Sequence, residues 1–230
     1  MIDTAGASRA AMVLAALVLG VYTGAPSASE DDWFFEDFEA RIEKVNEGEL
    51  HFLGEPPAKK VHHHENRVAI DAASLEHGWV DLHQCHANLD AVPRLEILFR
   101  AGGIKDLEIV STHNIGSARV EGPSIQLTEV GRHARLCLSA RSQALGEYGD
   151  GAYVLRNGPY MRRFLDGYYP MRVEMKVSYP CGMLELVASS PEGQPGFTLE
   201  HQECGVAYDT WFEGRLRTQL VFRRPAAPNS

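Results

Sequence analysis

The sequence lacks the short motifs by which many enzymes are recognised. It contains no GxSxG nucleophile elbow, no P-loop, no GxGxxG fingerprint, no HExxH pair and no EF-hand loop. Carboxylates such as Asp81 and Glu174 are available for glycoside hydrolysis, but no spacing selects a pair of them. These absences favour a non-enzymatic protein over an enzyme.

Positive charge is also scarce. The chain has 22 basic residues against 31 acidic ones, which gives a net charge of −9. Nucleic-acid binding requires clustered Lys and Arg to neutralise phosphates. We therefore expect no nucleic-acid partner.

The chain contains only one long apolar run, residues 10–21. About 20 apolar residues are needed to cross a bilayer, so this run is too short for a membrane span. Small and polar residues follow it at 24–29, which is typical of a secretory signal peptide. We predict a signal peptide over residues 1–29, a periplasmic or secreted mature protein, and no membrane span once the signal is removed.

Cysteine is limited to four residues, and no CxxC motif occurs. An even number of cysteines in an exported chain indicates disulfides, and four cysteines allow three connectivities. We favour Cys85–Cys137 and Cys181–Cys204, because the second pair closes a short loop between two predicted neighbouring strands. Four free, partly buried thiols are the alternative.

Helical periodicity is missing after the acidic N-terminal arm. Short alternating segments recur between turn signals instead, which predicts an all-β fold, either an antiparallel β-sandwich or a barrel-like sheet. We divide the chain into an N-terminal arm and hairpin (30–60), a single β domain (61–224) and a short tail (225–230). The Gly102–Gly103 pair predicts a hairpin between the strands that flank it.

Residues 61–70 and 78–88 predict an antiparallel pair with one buried face. Antiparallel partners share a constant sum of residue numbers, and a sum near 150 places His64 opposite His86, with His62 nearby. Imidazoles are ligands for Cu(II) and Zn. The three histidines are therefore a candidate metal site, although a polar strand end with solvated histidines is the plainer alternative.

Residues 156–172, RNGPYMRRFLDGYYPMR, are the densest run of arginine and tyrosine. Pro159 suits a first helical turn and Gly167 a helix end, so we predict one short helix in a long inter-strand loop. Such a loop presents arginine to an anionic or carboxylate-bearing partner. Alternatively, the arginines pair with the protein's own acids, among them Asp209 and Glu213. The predicted contact residues are Arg156, Tyr160, Arg162, Arg163, Tyr168, Tyr169 and Arg172.

These patterns support three hypotheses. The leading one is an exported, non-enzymatic binding or assembly module whose arginine- and tyrosine-rich loop contacts an envelope protein or an anionic ligand. The second is a periplasmic copper- or zinc-binding protein that uses the histidines. The third is a hydrolase of an envelope polymer.

Overall fold

Alternating segments become strands throughout residues 48–225, the part of the chain that this computed structural model describes. The predicted signal peptide, the arm as far as residue 47 and the tail from residue 226 lie outside the described residues. One helical turn, α1 (Ser74–His77), joins β2 to β3. The strands are β1 (His51–Leu53), β2 (His62–Ala69), β3 (Trp79–Leu89), β4 (Arg94–Leu98), β5 (Ile104–Glu121), β6 (Ser124–Gln143), β7 (Leu145–Glu147) and β8 (Ala152–Tyr160). They continue with β9 (Arg162–Phe164), β10 (Gly167–Tyr169), β11 (Met171–Ser178), β12 (Glu185–Ser190), β13 (Glu200–Gln202), β14 (Gly205–Glu213) and β15 (Leu216–Arg223).

The strands form a large sheet, a small sheet and a hairpin. The nine-stranded sheet has the order β1-β14-β11-β2-β3-β6-β4, with β13 beside β14 and β5 beside β6. The four-stranded sheet has the order β12-β15-β8-β7, and β9 pairs with β10. Pairing is antiparallel except between β2 and β11. The predicted all-β class is confirmed, and the open sheet edges make the fold sandwich-like rather than a closed barrel.

The first core lies between the two sheets. β11 alternates strictly, so that Val173 and Met175 are fully buried while Glu174 and Lys176 face the other side. A sheet with one apolar face must cover that face with another layer. Apolar side chains of the small sheet, including Phe222 of β15, provide that cover.

A second core is enclosed by the long β5–β6 hairpin. A straight strand of 20 residues, the length of β6, would extend about 65 Å. Residues 99–103 nevertheless connect the two ends of this hairpin. At its turn, the N–H of Phe99 donates to the carbonyl of Pro123, and at its base, the N–H of Gln143 donates to the carbonyl of Gly103. A five-residue segment reaches at most about 17 Å, so the hairpin is coiled back on itself.

The prediction that Gly102–Gly103 joins a hairpin of paired strands is wrong. A turn does form there, but β4 and β5 pair with opposite edges of β6 instead of with each other. Register shifts along β5 and positive φ angles at Glu129 and His133 accompany the bend of the ribbon. Such bulges bend and twist a strand and displace its pairing.

The predicted register of β2 and β3 is confirmed. His64 lies opposite His86, and Val68 lies opposite Leu82, so both pairs have the sum of 150. This register follows from parity, because a slip by one residue would turn the apolar side chains of both strands out of the core.

Both predicted disulfides are confirmed. Cys85 and Cys137 are directly opposite each other in β3 and β6. Cys181 and Cys204 join the segment after β11 to the turn between β13 and β14. Two disulfides are typical of an oxidising, extracellular environment.

The helix predicted within residues 156–172 is wrong. β8 runs to Tyr160, and β9 and β10 then form a hairpin in which Arg162 faces Tyr169 and Arg163 faces Tyr168. A helix of one and a half turns is marginal in water because its nucleation is costly, whereas the hairpin gains cross-strand contacts between arginine and aromatic rings. Within residues 48–225, no helix has the length and hydropathy of a membrane-spanning segment.

Candidate functional site

Part of the arginine- and tyrosine-rich segment is committed to internal contacts. Tyr160 and Tyr168 are buried, with 8% and 7% exposure. Arg162 donates two hydrogen bonds to the carboxylate of Asp90, at 2.7 and 3.1 Å. These contacts hold one end of the β9–β10 hairpin against the rest of the fold, so these three side chains are not free to bind a partner.

Arg172 is committed in the same way, and Tyr169 is partly buried. The guanidinium of Arg172 pairs bidentately with Asp209, one of the acids considered from sequence, and lies 4.7 Å from the ring centroid of Trp211. The hydroxyl of Tyr169 donates to Asp166 at 2.5 Å. Hydrogen bonding to Asp209 raises the pKa of Arg172 above its usual value.

The remaining part of the segment is exposed. Arg163 lies over the ring of Tyr168, 5.6 Å from its centroid, and has no carboxylate partner among the described residues. Met161 and Phe164 are 44% and 41% exposed, and Leu165 at the turn is fully exposed. We name Met161, Arg163, Phe164 and Leu165 the hairpin tip.

The three predicted metal-site histidines do come together. The ring centroids of His64 and His86 lie 4.2 Å apart, and those of His62 and His86 lie 5.4 Å apart. The rings are nearly parallel, at 28° and 26°. They therefore form a stack on the inward face of β2 and β3, which we name the histidine stack.

A directional hydrogen-bond chain runs through this stack. Asn66 Nδ2 lies near two backbone carbonyls, those of His64 at 3.5 Å and Glu174 at 3.3 Å, so this atom must be the amide nitrogen. Asn66 Oδ1 then accepts from Gln84 Nε2 at 2.8 Å. Gln84 Oε1 must accept from His86 Nε2, at 3.2 Å. The neutral His86 consequently presents Nδ1 as an acceptor, and His62 Nε2 donates to it at 3.2 Å.

Burial keeps the stack uncharged. It lowers the pKa of His62 to about 4 and that of His64 to about 3. Burial also lowers the pKa of His86 well below its usual value. Desolvation disfavours the charged imidazolium, so all three rings are neutral near pH 7.

The stack does not present a ready metal site. Both ring nitrogens of His86 take part in hydrogen bonds. No group of three His, Cys, Asp or Glu side chains within residues 48–225 has an arrangement suited to a metal ion. Copper or zinc binding by His62, His64 and His86 stays a prediction.

A cavity of about 770 Å³ lies beside the histidine stack, between the large sheet and β8. His64, Asn66, Gln84 and His86 form part of its buried lining, whereas its lining residues Arg100 and Arg156 are exposed. None of its lining residues is Asp or Glu. Arg156, predicted as a contact residue, thus lies on this cavity.

The lining residues that sequence reasoning missed include the polar residues Asn66, Gln84, Arg100 and Asn157. A signal existed for the first two, because they are polar residues at positions whose parity places them on the buried face of β2 and β3. Nothing in the local sequence marks Arg100 or Asn157, which reach the cavity only through the coiling of the hairpin and the packing of β8.

A second cavity, of about 720 Å³, lies on the outer face of the large sheet. Its carboxylates are Asp81, Asp106 and Glu108, all on exposed residues, and Asp81 forms an ion pair with Arg141 at 3.3 Å. A glycosidase needs one carboxylic acid that is kept protonated by a desolvated site. Exposed carboxylates do not provide such a site, so nothing in this cavity favours hydrolysis.

Together, the fold and these surfaces define a disulfide-linked, sandwich-like all-β domain with an exposed hairpin and an internal polar cavity. The chain matches no protein-family model and no curated protein sequence.

Proposed function

We propose that this protein is an exported, non-enzymatic binding module that docks a protein partner of the cell envelope through the hairpin tip. The observation that carries the proposal is the clustering of exposed apolar side chains. Three of the eight large hydrophobic residues that are exposed in residues 48–225 fall within five consecutive positions, as Met161, Phe164 and Leu165. Grouped exposed apolar residues mark interaction surfaces more often than scattered ones do.

The way in which the hairpin is anchored supports the same function. Within the hairpin, the side chain of Tyr168 on β10 is buried, and Arg162 on β9 donates two hydrogen bonds to Asp90. A surface that is already ordered loses less conformational entropy on binding. The hairpin tip is therefore a preorganised projection and not a floppy loop.

The chemistry of the tip indicates the kind of partner. Arg163 has no carboxylate partner within residues 48–225, and it lies within the same five positions as the exposed side chains of Met161 and Leu165. Arginine and aromatic residues are enriched at the energetic centres of interfaces. We expect a partner that places a carboxylate next to an apolar surface.

A photo-crosslinking amino acid at position 165, introduced in the cells that export the protein, tests this proposal. We expect one discrete cross-linked protein. Arg163→Glu should abolish this cross-linked species, because the substitution reverses the charge that is expected to pair with the partner's carboxylate. The matched control is the same crosslinker at Val187, which is 47% exposed on β12. Position 187 should give no such species.

Three outcomes would contradict the proposal. They are the absence of any cross-linked species at position 165, the same species at positions 165 and 187, and a species made of two copies of this chain. A urea titration of Arg163→Glu should show an unchanged midpoint, since exposed substitutions usually alter stability by less than about 0.5 kcal/mol.

A further inference from the structure

We infer that the cavity beside the histidine stack binds a small carboxylate-bearing amphiphile that carries a second polar group. The volume of about 770 Å³ falls within the range of small-molecule sites. Apolar side chains from several strands supply most of the non-polar wall. They include Val80, Leu82, Ile97, Phe99 and Leu145.

The charge of the lining selects an anion. The lining contains two arginines, Arg100 and Arg156, and no Asp or Glu, in a chain with 31 acidic residues. The guanidinium of Arg156 has no hydrogen bond or ion pair within residues 48–225. A guanidinium that pairs with no acid within residues 48–225 is available for the carboxylate of a ligand.

Both arginines line the cavity, and each forms a hydrogen bond with a backbone carbonyl of the segment between β6 and β7 or its border. A terminal nitrogen of Arg100 donates to the carbonyl of Gln143 at 3.4 Å. The backbone N–H of Arg156 donates to the carbonyl of Ala144 at 2.9 Å. The lining therefore has one arginine from β8 and one from the loop that follows β4.

The buried part of the lining accounts for the second polar group. His64 is only 9% exposed, and its Nε2 has no hydrogen-bond partner among the described residues. Asn157 Nδ2 is likewise buried without a partner there. Buried polar atoms are nearly always satisfied, so a hydroxyl or carbonyl on the ligand would complete their hydrogen bonding.

The neutral state of the stack fits this assignment. Because burial lowers the pKa of His64 to about 3, its imidazole is uncharged near pH 7 and exchanges ordinary hydrogen bonds with a hydroxyl. If the buried histidines of the lining were charged, they would attract the carboxylate into the cavity, and the arginines would not bind it. The inference does not depend on the hairpin tip or on its partner.

Calorimetric titration of the mature protein with three probes tests the inference. The probes are ω-hydroxydodecanoate and dodecanoate below their micellar concentrations, and dodecanol below its solubility limit. We expect saturable one-site binding that is strongest for ω-hydroxydodecanoate and weakest for dodecanol. Arg156→Gln should weaken binding of the two carboxylates about tenfold, the loss typical of a charge-assisted hydrogen bond. Arg132→Gln, an exposed arginine outside the cavity, is the matched control and should change nothing.

A nitrogen-15 spectrum of the imidazoles locates the site independently. The Nε2 resonance of His64 should shift with ω-hydroxydodecanoate and much less with dodecanoate. The inference is overturned if no probe binds saturably, if dodecanol binds as well as dodecanoate, or if Arg156→Gln and Arg132→Gln behave alike. Saturable binding without a shift of the Nε2 resonance of His64 would likewise overturn the inference, because the ligand would then lie elsewhere.

Discussion

At the scale of single residues, the histidine stack shows how imidazoles can be buried without a charge partner. From His62 through His86 and Gln84 to Asn66, each donor meets an acceptor, and the chain ends at the backbone carbonyl of Glu174. Only Nε2 of His64, within the stack, is buried without a partner among the described residues. A buried polar group costs free energy unless it is hydrogen-bonded. The chain offsets that cost only while the rings stay neutral.

This dependence predicts a stability that falls in mild acid. In the unfolded chain a histidine titrates near pH 6.5, whereas His62 in the fold stays neutral down to about pH 4. As the pH falls below 6.5, the unfolded state binds protons that the folded state does not, and unfolding becomes more favourable. His62 and His64 should each remove about 1–2 kcal/mol of the free energy of unfolding between pH 6.5 and pH 5. Urea titrations across that range measure the slope.

Substitution separates the stack from other titrating groups. His62→Gln keeps an N–H donor for His86 but removes one titrating ring, so the slope should decrease by about 1.4 kcal/mol per pH unit. His201→Gln, on an exposed position of β13, is the control and should leave the slope unchanged. Equal slopes in both variants and the wild type would show that the stack is not the source of acid sensitivity.

At the scale of elements, register was predictable wherever parity is uninterrupted. β2 and β3 alternate without a break over the stretch that contains the histidines, so their register followed from the sequence. The β5–β6 ribbon was not predictable in this way. The register between β5 and β6 shifts at several positions, and Asn114, Glu129 and His133, which are not glycines, have positive φ angles. No local sequence pattern predicts these shifts.

The helix predicted after Pro159 failed for a related reason. The spacing that lets Tyr160 and Phe164 meet on a helix is also compatible with a strand, where residues at even spacing share a face. In the structure Arg162 and Phe164 share one face of the hairpin with Tyr169, and Arg163 lies on the other face with Tyr168. Local sequence did not distinguish these patterns, because burial of Tyr168 against the sheet is a tertiary effect.

The two disulfides should differ in their contribution to stability. Cys85–Cys137 spans 52 residues and holds the coiled ribbon to β3, whereas Cys181–Cys204 spans 23. Loop-closure entropy assigns about 4 kcal/mol to the first and about 3.4 kcal/mol to the second. The first pair is also buried, so replacing it with alanines leaves unfilled space around the two positions. We expect Cys85→Ala/Cys137→Ala to lower the free energy of unfolding more than Cys181→Ala/Cys204→Ala.

Urea denaturation of the two double variants measures the difference directly. The denaturant dependence should increase in both, because an unfolded chain without a cross-link exposes more surface. A greater loss in the Cys181→Ala/Cys204→Ala variant would mean that the coiled ribbon is held by packing and not by its disulfide.

At the scale of the whole molecule, the cavity lies where two hydrophobic cores meet. One core is shared by the two sheets, and the other is enclosed by the coiled ribbon. The inward positions of β2 and β3 that carry polar residues, such as His64 and His86, indicated from the sequence that this part of the interior contains a polar cluster. The cavity itself was not predictable, because its opposite walls come from residues 97–103 and 156–160, which are remote in sequence.

Two cores joined at a cavity predict two levels of local stability. β11 is paired on both sides, and its inward residues Val173 and Met175 are fully buried. β4 pairs only with β6 within the described sheet, and its Leu98 is 71% exposed. Elements with few buried contacts open with smaller free energies than the global unfolding reaction. Native-state amide exchange over a urea series should therefore place the β11 amides at the global free energy of unfolding and the β4 amides well below it.

Addition of ω-hydroxydodecanoate should slow exchange in β4 and the loop that follows it, because both line the cavity, and leave β11 unchanged relative to the global value. If β4 and β11 instead exchange with one common free energy at every urea concentration, the two cores unfold as a single cooperative unit.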